Sequence, residues 1–178
     1  MQIFFLPQWL MVTLLIIGWP LIQVPISMIF NYIPDRKFDP ESWWYRSYKW
    51  EKDGKIYDEI LNIKGWKKHL PDGAKMFRKG FPKGTIISNE EEYLQSFIAE
   101  TCRSEVSHLL QIIPFWVFGL FAPPIVIAVM FVYAIILNLP CIIAQRYNRP
   151  RLKHMLKLIQ KREKRKVKGD IYGENRIS

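Results

Sequence analysis

LLQIIPFWVFGLFAPPIVIAVMFVYAIILNLPCIIA, residues 109–144, is a run of 36 residues without one Asp, Glu, Lys or Arg. About 20 apolar residues in a helix cover the hydrocarbon core of a bilayer, so this run is too long for a single crossing. Pro123-Pro124 divides it into Leu109–Ala122 and Ile125–Ala144. At roughly 1.5 Å per residue the first arm reaches about 20 Å, short or tilted for a span. Working outward, the chain is equally uncharged over its first 34 residues and meets its first charge at Asp35. The mean hydropathy of -0.03 averages these two blocks with a heavily charged remainder. The sequence is that of an integral membrane protein, mainly α-helical.

The N-terminal block has no positive leading region and no small-residue cleavage site, so it reads as a retained span over 1–34 rather than a secretory signal. Trp9, Trp19 and Tyr32 suit interfacial anchoring. Pro20 and Pro25 are expected to kink the helix where neighbouring helices meet the freed carbonyls. None of the 26 Lys and Arg lies in 1–34; 14 lie in 35–108 against 13 acidic residues, and 12 lie in 145–178 against three. Cationic residues beside a span stay on the cytoplasmic side. One crossing by residues 109–144 would leave 14 of them outside. A Pro-broken membrane hairpin over 109–144 returns the chain to its starting side and puts both charged regions in the cytoplasm.

Residues 35–87 interleave Trp43, Trp44, Trp50 and Trp66 with lysines. Such interleaving can stack nucleic-acid bases, but between two membrane blocks the bilayer interface is the nearer partner, and no nucleic acid is expected. Turns at Asp53-Gly54 and Asp72-Gly73, with Ile56-Tyr57 and Ile60–Ile63 as strand material, predict a small α+β cytoplasmic segment. There is no Gly-rich phosphate loop and no Gly-x-Ser-x-Gly nucleophile elbow.

Ser88 with Glu91 forms a capping box that opens a polar helix over 88–108. At 100° per residue, Thr101, Ser104, Glu105 and His108 share one face where the chain enters lipid, with Glu100 adjoining. Polar groups there are costly unless they pair or work. The plain structural reading is a solvated face on which Glu105 and His108, at i and i+3, are simply neighbours. Glu-x-x-His is also half of a di-iron carboxylate motif, but no second half exists in the sequence, and no metal is expected. Cys102 and Cys141 suggest neither a disulfide framework nor a zinc site, and nothing calls for a cofactor.

Beyond the hairpin, Arg146, Arg149 and Arg151 bracket Pro150 in a turn that is not expected to continue a helix smoothly. Their forks suit phosphate, although arginines beside a span also serve as plain positive-inside anchors. Leu152, Met155, Leu156 and Ile159 then recur at helical spacing among lysines. That pattern gives the 145–178 tail an amphipathic basic helix on the membrane surface.

Several of these residues fall into one ordered pattern: Ile33-Pro34-Asp35 with Phe38, Trp50 to Lys55, Trp66-Lys67 with Leu70 to Ala74, Glu100-Thr101-Cys102-Arg103-x-Glu105-x-x-His108, and Asn138-x-Pro140 leading to 145–152. This pattern resembles the glycosyl-4,4'-diaponeurosporenoate acyltransferase family of Gram-positive bacteria. The resemblance covers about residues 33–152, with the arginine block its most specific part. It departs at Ser104, where alanine is expected, and at Leu109, where an aromatic is expected.

The resemblance implies a multi-pass protein of the cell membrane that moves a fatty acyl group to a sugar hydroxyl of a glycosylated carotenoid or related glycolipid, as in a staphyloxanthin-type pathway. Acyl-CoA is the expected donor and membrane lipid a further partner. His108 would be the general base, worth roughly 10²–10⁴-fold, oriented by Glu105 or Glu100, with Arg103 assisting the oxyanion. Arg146, Tyr147, Asn148, Arg149, Arg151, Asp35 and Asp72 would hold the substrates. The His-x-x-x-x-Asp acyltransferase signature is absent. A non-catalytic membrane accessory that binds a lipid headgroup or a partner protein is the alternative reading.

Overall fold

In the computed structural model, which describes residues 2–70 and 90–174, every regular element is helical. Helix α1 spans Gln8–Tyr32, α2 Lys55–Leu61, α3 Ile63–Trp66, α4 Glu90–Ile112 and α5 Pro124–Glu174. Short 3-10 turns fill Asp35–Lys37, Lys49–Gly54 and Lys67–His69, and a longer one, Ile113–Leu120, continues α4 to the membrane apex. Ser88 and Asp72 lie outside the described residues.

Two helices, Gln8–Tyr32 and the Pro124–Arg165 part of α5, are long and apolar enough to cross a bilayer. Only 6% of the most apolar window of the first is buried within the chain, so its surface needs lipid to cover it. Two such helices suggest a membrane protein. Residues 121–123 separate the apex turn from α5, which Pro124 opens, and this fits the expected break. At that apex the backbone N–H groups of Ile3 and Phe4 donate to the Leu120 carbonyl at 2.8 and 2.9 Å. At the other end, Arg103 donates to the Ile33 carbonyl at 3.3 Å. Helix α1 thus runs antiparallel to the second half of α4 and parallel to α5. Trp19 holds the three arms together, stacked on Phe118 and edge-on to Tyr133, beside Ala134.

The strands expected in the middle segment do not form. Among the described residues there is no strand, and Ile56, Tyr57, Ile60 and Leu61 lie in α2. Tyr57 and Ile63 are buried against Ala144 and Tyr147 of α5. A helix surface offers no backbone groups for a ladder, so the segment satisfies its own backbone in short helical turns. The Asp53-Gly54 turn is present: Lys52, Asp53 and Gly54 all have positive φ. A Cβ at Gly54 would meet the Tyr147 carbonyl at 3.1 Å, so glycine permits both the turn and the close approach to α5.

The tail also departs from expectation, because α5 passes through Pro150 without interruption. Proline removes one backbone donor. The donor lost at Pro150 is the one that would have met the Arg146 carbonyl, one bond in a helix that continues on both sides. The Arg151 guanidinium donates to the neighbouring Tyr147 carbonyl at 3.2 Å. Further on, Leu152, Leu156 and Ile159 pack on Leu94 and Ile98 of α4, so this stripe faces protein rather than a membrane surface.

Candidate active site

Glu105 on α4 is the centre of a buried charged network, with its side chain 1% exposed. One carboxylate oxygen accepts from Arg146 Nε at 2.8 Å and the other from Arg149. Arg146 also donates to Glu51 at 3.0 Å and to the Trp44 carbonyl at 3.0 Å. Arg149 donates to Thr101 Oγ1 and the Thr101 carbonyl, and to the Tyr45 carbonyl at 3.0 Å. Tyr57 closes the network by donating to Glu51; burial and that bond raise its pKa well above the ordinary phenol value. Buried charges persist only when paired and hydrogen-bonded. Here they tie the 44–57 segment to both long helices.

His108 is placed differently from its expected pairing with Glu105. Its Nδ1 lies 2.9 Å from Asn138 Oδ1 on α5. Asn138 is 1% exposed and donates through Nδ2 to the Ala134 carbonyl at 2.9 Å. That second bond fixes which end of the amide faces the ring. Nδ1 must then carry the proton, and Nε2 keeps its lone pair. Burial holds the imidazole below its ordinary pKa, and the Asn138 bond opposes this, so the ring stays neutral and can accept a proton.

Arg103 is 4% exposed and joins α4 to the end of α1: it pairs with Glu100 and, at 3.1 Å, with Asp35. The Cys102 thiol is pushed up to about 11, chiefly by burial, which leaves it protonated and a poor nucleophile. The arginine block divides in two. Arg146 and Arg149 are spent on carboxylates and carbonyls, whereas Arg151 lies 3.4 Å from the Tyr147 ring centroid. On the same ring sits Lys67 Nζ at 4.6 Å, which also donates to Asn148 Oδ1 at 2.9 Å. Burial first, and then Arg151, lower the Lys67 pKa. Among the described residues no carboxylate lies within salt-bridge distance of either cation, although Asp58 acts on both through space, and the pair is suited to an anion.

A cavity of about 510 Å³ opens at the charged end, lined by Asp35, Asp39, Glu41 and Glu92 against Arg36 and Lys153. Its negative balance does not suit phosphate. Ala99, also on its wall, lies nine residues from His108, or about 13 Å along α4.

A family model described as glycosyl-4,4'-diaponeurosporenoate acyltransferase matches residues 41–158. This match takes in the network, His108, Asn138 and the Lys67–Arg151 pair. The chain belongs to the glycosyl-4,4'-diaponeurosporenoate acyltransferase family. A protein of that name from Staphylococcus aureus strain MRSA252 is 32% identical over 147 residues, covering 83% of this chain and 88% of the relative. Those from strains bovine RF122 / ET3-1 and USA300 are each 31% identical with the same coverage. No solved structure matches the chain. The family is one of acyltransferases, and in this chain Arg146 and Arg149 form an internal clasp while Arg151 stacks on Tyr147.

Asn138 and Lys67 are the site residues that sequence reasoning left unassigned. The signal for Asn138 was available, since a lone amide in an apolar span needs a partner. Lys67 stood in the family-like pattern beside Trp66, but nothing in the sequence gave it a role distinct from its neighbouring lysines.

Proposed function

We propose that this protein transfers a fatty acyl group from acyl-CoA to a sugar hydroxyl of a glycosylated carotenoid or related glycolipid, at the cytoplasmic face of a Gram-positive cell membrane. The observation that carries this reading is the His108–Asn138 pair, which presents a neutral imidazole with its Nε2 lone pair available. The hydroxyl oxygen attacks the thioester carbonyl while its proton passes to Nε2 of His108. The C–S bond then breaks, and the leaving thiolate takes the proton back from the imidazolium, which restores the base. Asn138 acts through the ring and is a positioning residue. Glu105 serves the arginine clasp and not the imidazole.

The donor phosphates are assigned to Arg151 and Lys67, with Tyr147 and Asn148 as the scaffold that spaces them. Arg151 lies 13 residues beyond Asn138, roughly 20 Å along α5. An extended pantetheine arm separates phosphate from thioester in the same way. Both charged regions, 35–108 and 145–178, lie in the cytoplasm, where acyl-CoA is available.

Initial rates with palmitoyl-CoA and a monoglucosyl lipid test the reading on purified protein in lipid discs. His108→Ala should abolish product in folded protein, and Asn138→Ala should lower kcat at least tenfold, within the range of general-base effects. Arg151→Gln with Lys67→Gln should raise the donor KM and leave kcat nearly unchanged. Wild-type turnover by His108→Ala would overturn the base assignment. A wild type inactive with every donor and glycolipid would favour the accessory reading.

A further inference from the structure

Helix α1 turns one face inward, and along it Trp19, Gln23 and Ser27 recur at intervals of four residues. Ser27 Oγ accepts from Gln111 Nε2 at 2.8 Å, and Gln111 also donates to Ser107 at 3.1 Å. Gln111 is one turn beyond His108 on α4, so this polar seam begins beside the base and runs toward the apex. Trp19 lies about 12 Å along α1 from Ser27. Thr13, the other aliphatic hydroxyl within α1, satisfies itself on the Trp9 carbonyl at 2.8 Å.

Two donors in the seam are left over. Trp19 Nε1 and Gln23 Nε2 are both buried and meet no acceptor among the described residues, and Trp19 is 4% exposed. In hydrocarbon a backbone or side-chain donor finds no water to replace a missing partner, and buried polar groups are as a rule satisfied. The arms lining the seam, α1 and residues 109–144, contain no charged residue. A phosphate or carboxylate would therefore lie there without a counter-charge. The group that fits is neutral and accepts hydrogen bonds.

We propose that Trp19 and Gln23 form an intramembrane subsite that donates hydrogen bonds to a neutral oxygen, carbonyl or hydroxyl, of the lipid-borne substrate. This deepens the acyl-transfer reading and rests on it for the identity of the substrate. The oxygen is assigned to the glycolipid acceptor. The one oxygen of a fatty acyl group is the thioester carbonyl, which must stand at His108, about 10 Å or more from these donors along the seam. Palmitoyl-CoA therefore serves as the control ligand.

Trp19→Phe, which keeps a ring on Phe118, and Gln23→Leu test the subsite in the full chain in lipid discs. The measurements are thermal shift and apparent Kd for palmitoyl-CoA and, separately, for a monoglucosyl diacylglycerol. Removing an unpaired donor relieves its desolvation, so both variants without ligand should melt no lower than wild type. The monoglucosyl diacylglycerol should bind about tenfold more weakly, the loss of one hydrogen bond that would otherwise be made. Palmitoyl-CoA should bind as before, and a comparable loss for it would overturn the assignment. Unchanged binding of both ligands would overturn the subsite and leave ordered water as its occupant. So would variants that melt lower without ligand, because the donors would then be structural. If wild type binds but never transfers acyl groups, and the variants still bind more weakly, the subsite stands while the acyltransferase reading falls. Acyl transfer at wild-type rate by variants that bind normally removes the subsite alone.

Discussion

Glu105→Gln separates a structural clasp from a catalytic carboxylate. The substitution keeps the shape of the side chain and removes one charge. Its principal partner, the Arg149 side chain, is 3% exposed and cannot reach water, while Arg146 is 17% exposed and retains Glu51. Breaking a buried ion pair from one side costs about 3–5 kcal/mol, because the remaining charge stays buried without compensation. In a chain of this length each kcal/mol corresponds to roughly 2–4 °C in Tm, so the melting temperature should fall by about 6–20 °C. Thermal unfolding in detergent, followed by tryptophan fluorescence, measures it. A companion variant, Glu105→Gln with Arg149→Met, should recover part of the loss by removing the stranded charge. The reasoning is refuted if Glu105→Gln melts with wild type but loses turnover as completely as His108→Ala. The carboxylate would then act on the chemistry and not on the clasp.

Burial lowers the His108 pKa, and a general base works only when deprotonated. The acid limb of kcat/KM should therefore lie below the ordinary imidazole value of about 6.5, and a limb at or above 6.5 would contradict the buried, Asn138-held ring. The same shift bears on stability. The unfolded chain takes up a proton at higher pH than the folded one, so the His108 contribution is complete above about 6.5 and is lost as pH falls below it. Cysteines placed at Lys55 and Lys161 should both resist a membrane-impermeant thiol reagent added to intact cells. Efficient labelling at position 55 alone would replace the hairpin with a single crossing.

The two uncharged runs and their prolines determined, without further help, that this is a helical chain with two stretches apolar enough to cross a bilayer and a break near Pro123. Apolar length and the scarcity of charge are local properties, and no folding is needed to express them. The middle segment was misread because Ile56, Tyr57 and Ile60 are equally good in a strand or a short helix. What they pack against decided the matter, and Tyr147 and Ala144 of α5 lie more than eighty residues away. Pro150 was read as a break, yet it costs the helix only the bond to the Arg146 carbonyl, and the packing of Leu152, Leu156 and Ile159 on α4 holds the helix beyond it.

In the site, the sequence placed Glu105 and His108 on one helical face and made them look like partners. It carried no information on which helix would lie opposite. Once α5 packs against α4, Arg149 is buried and needs an anion far more than a neutral imidazole does, so Glu105 turns to the arginines. His108 is left to Asn138, another polar group that lipid would strand. Local spacing named the candidate base, but competition for buried charge, which exists only in the tertiary structure, chose its partner.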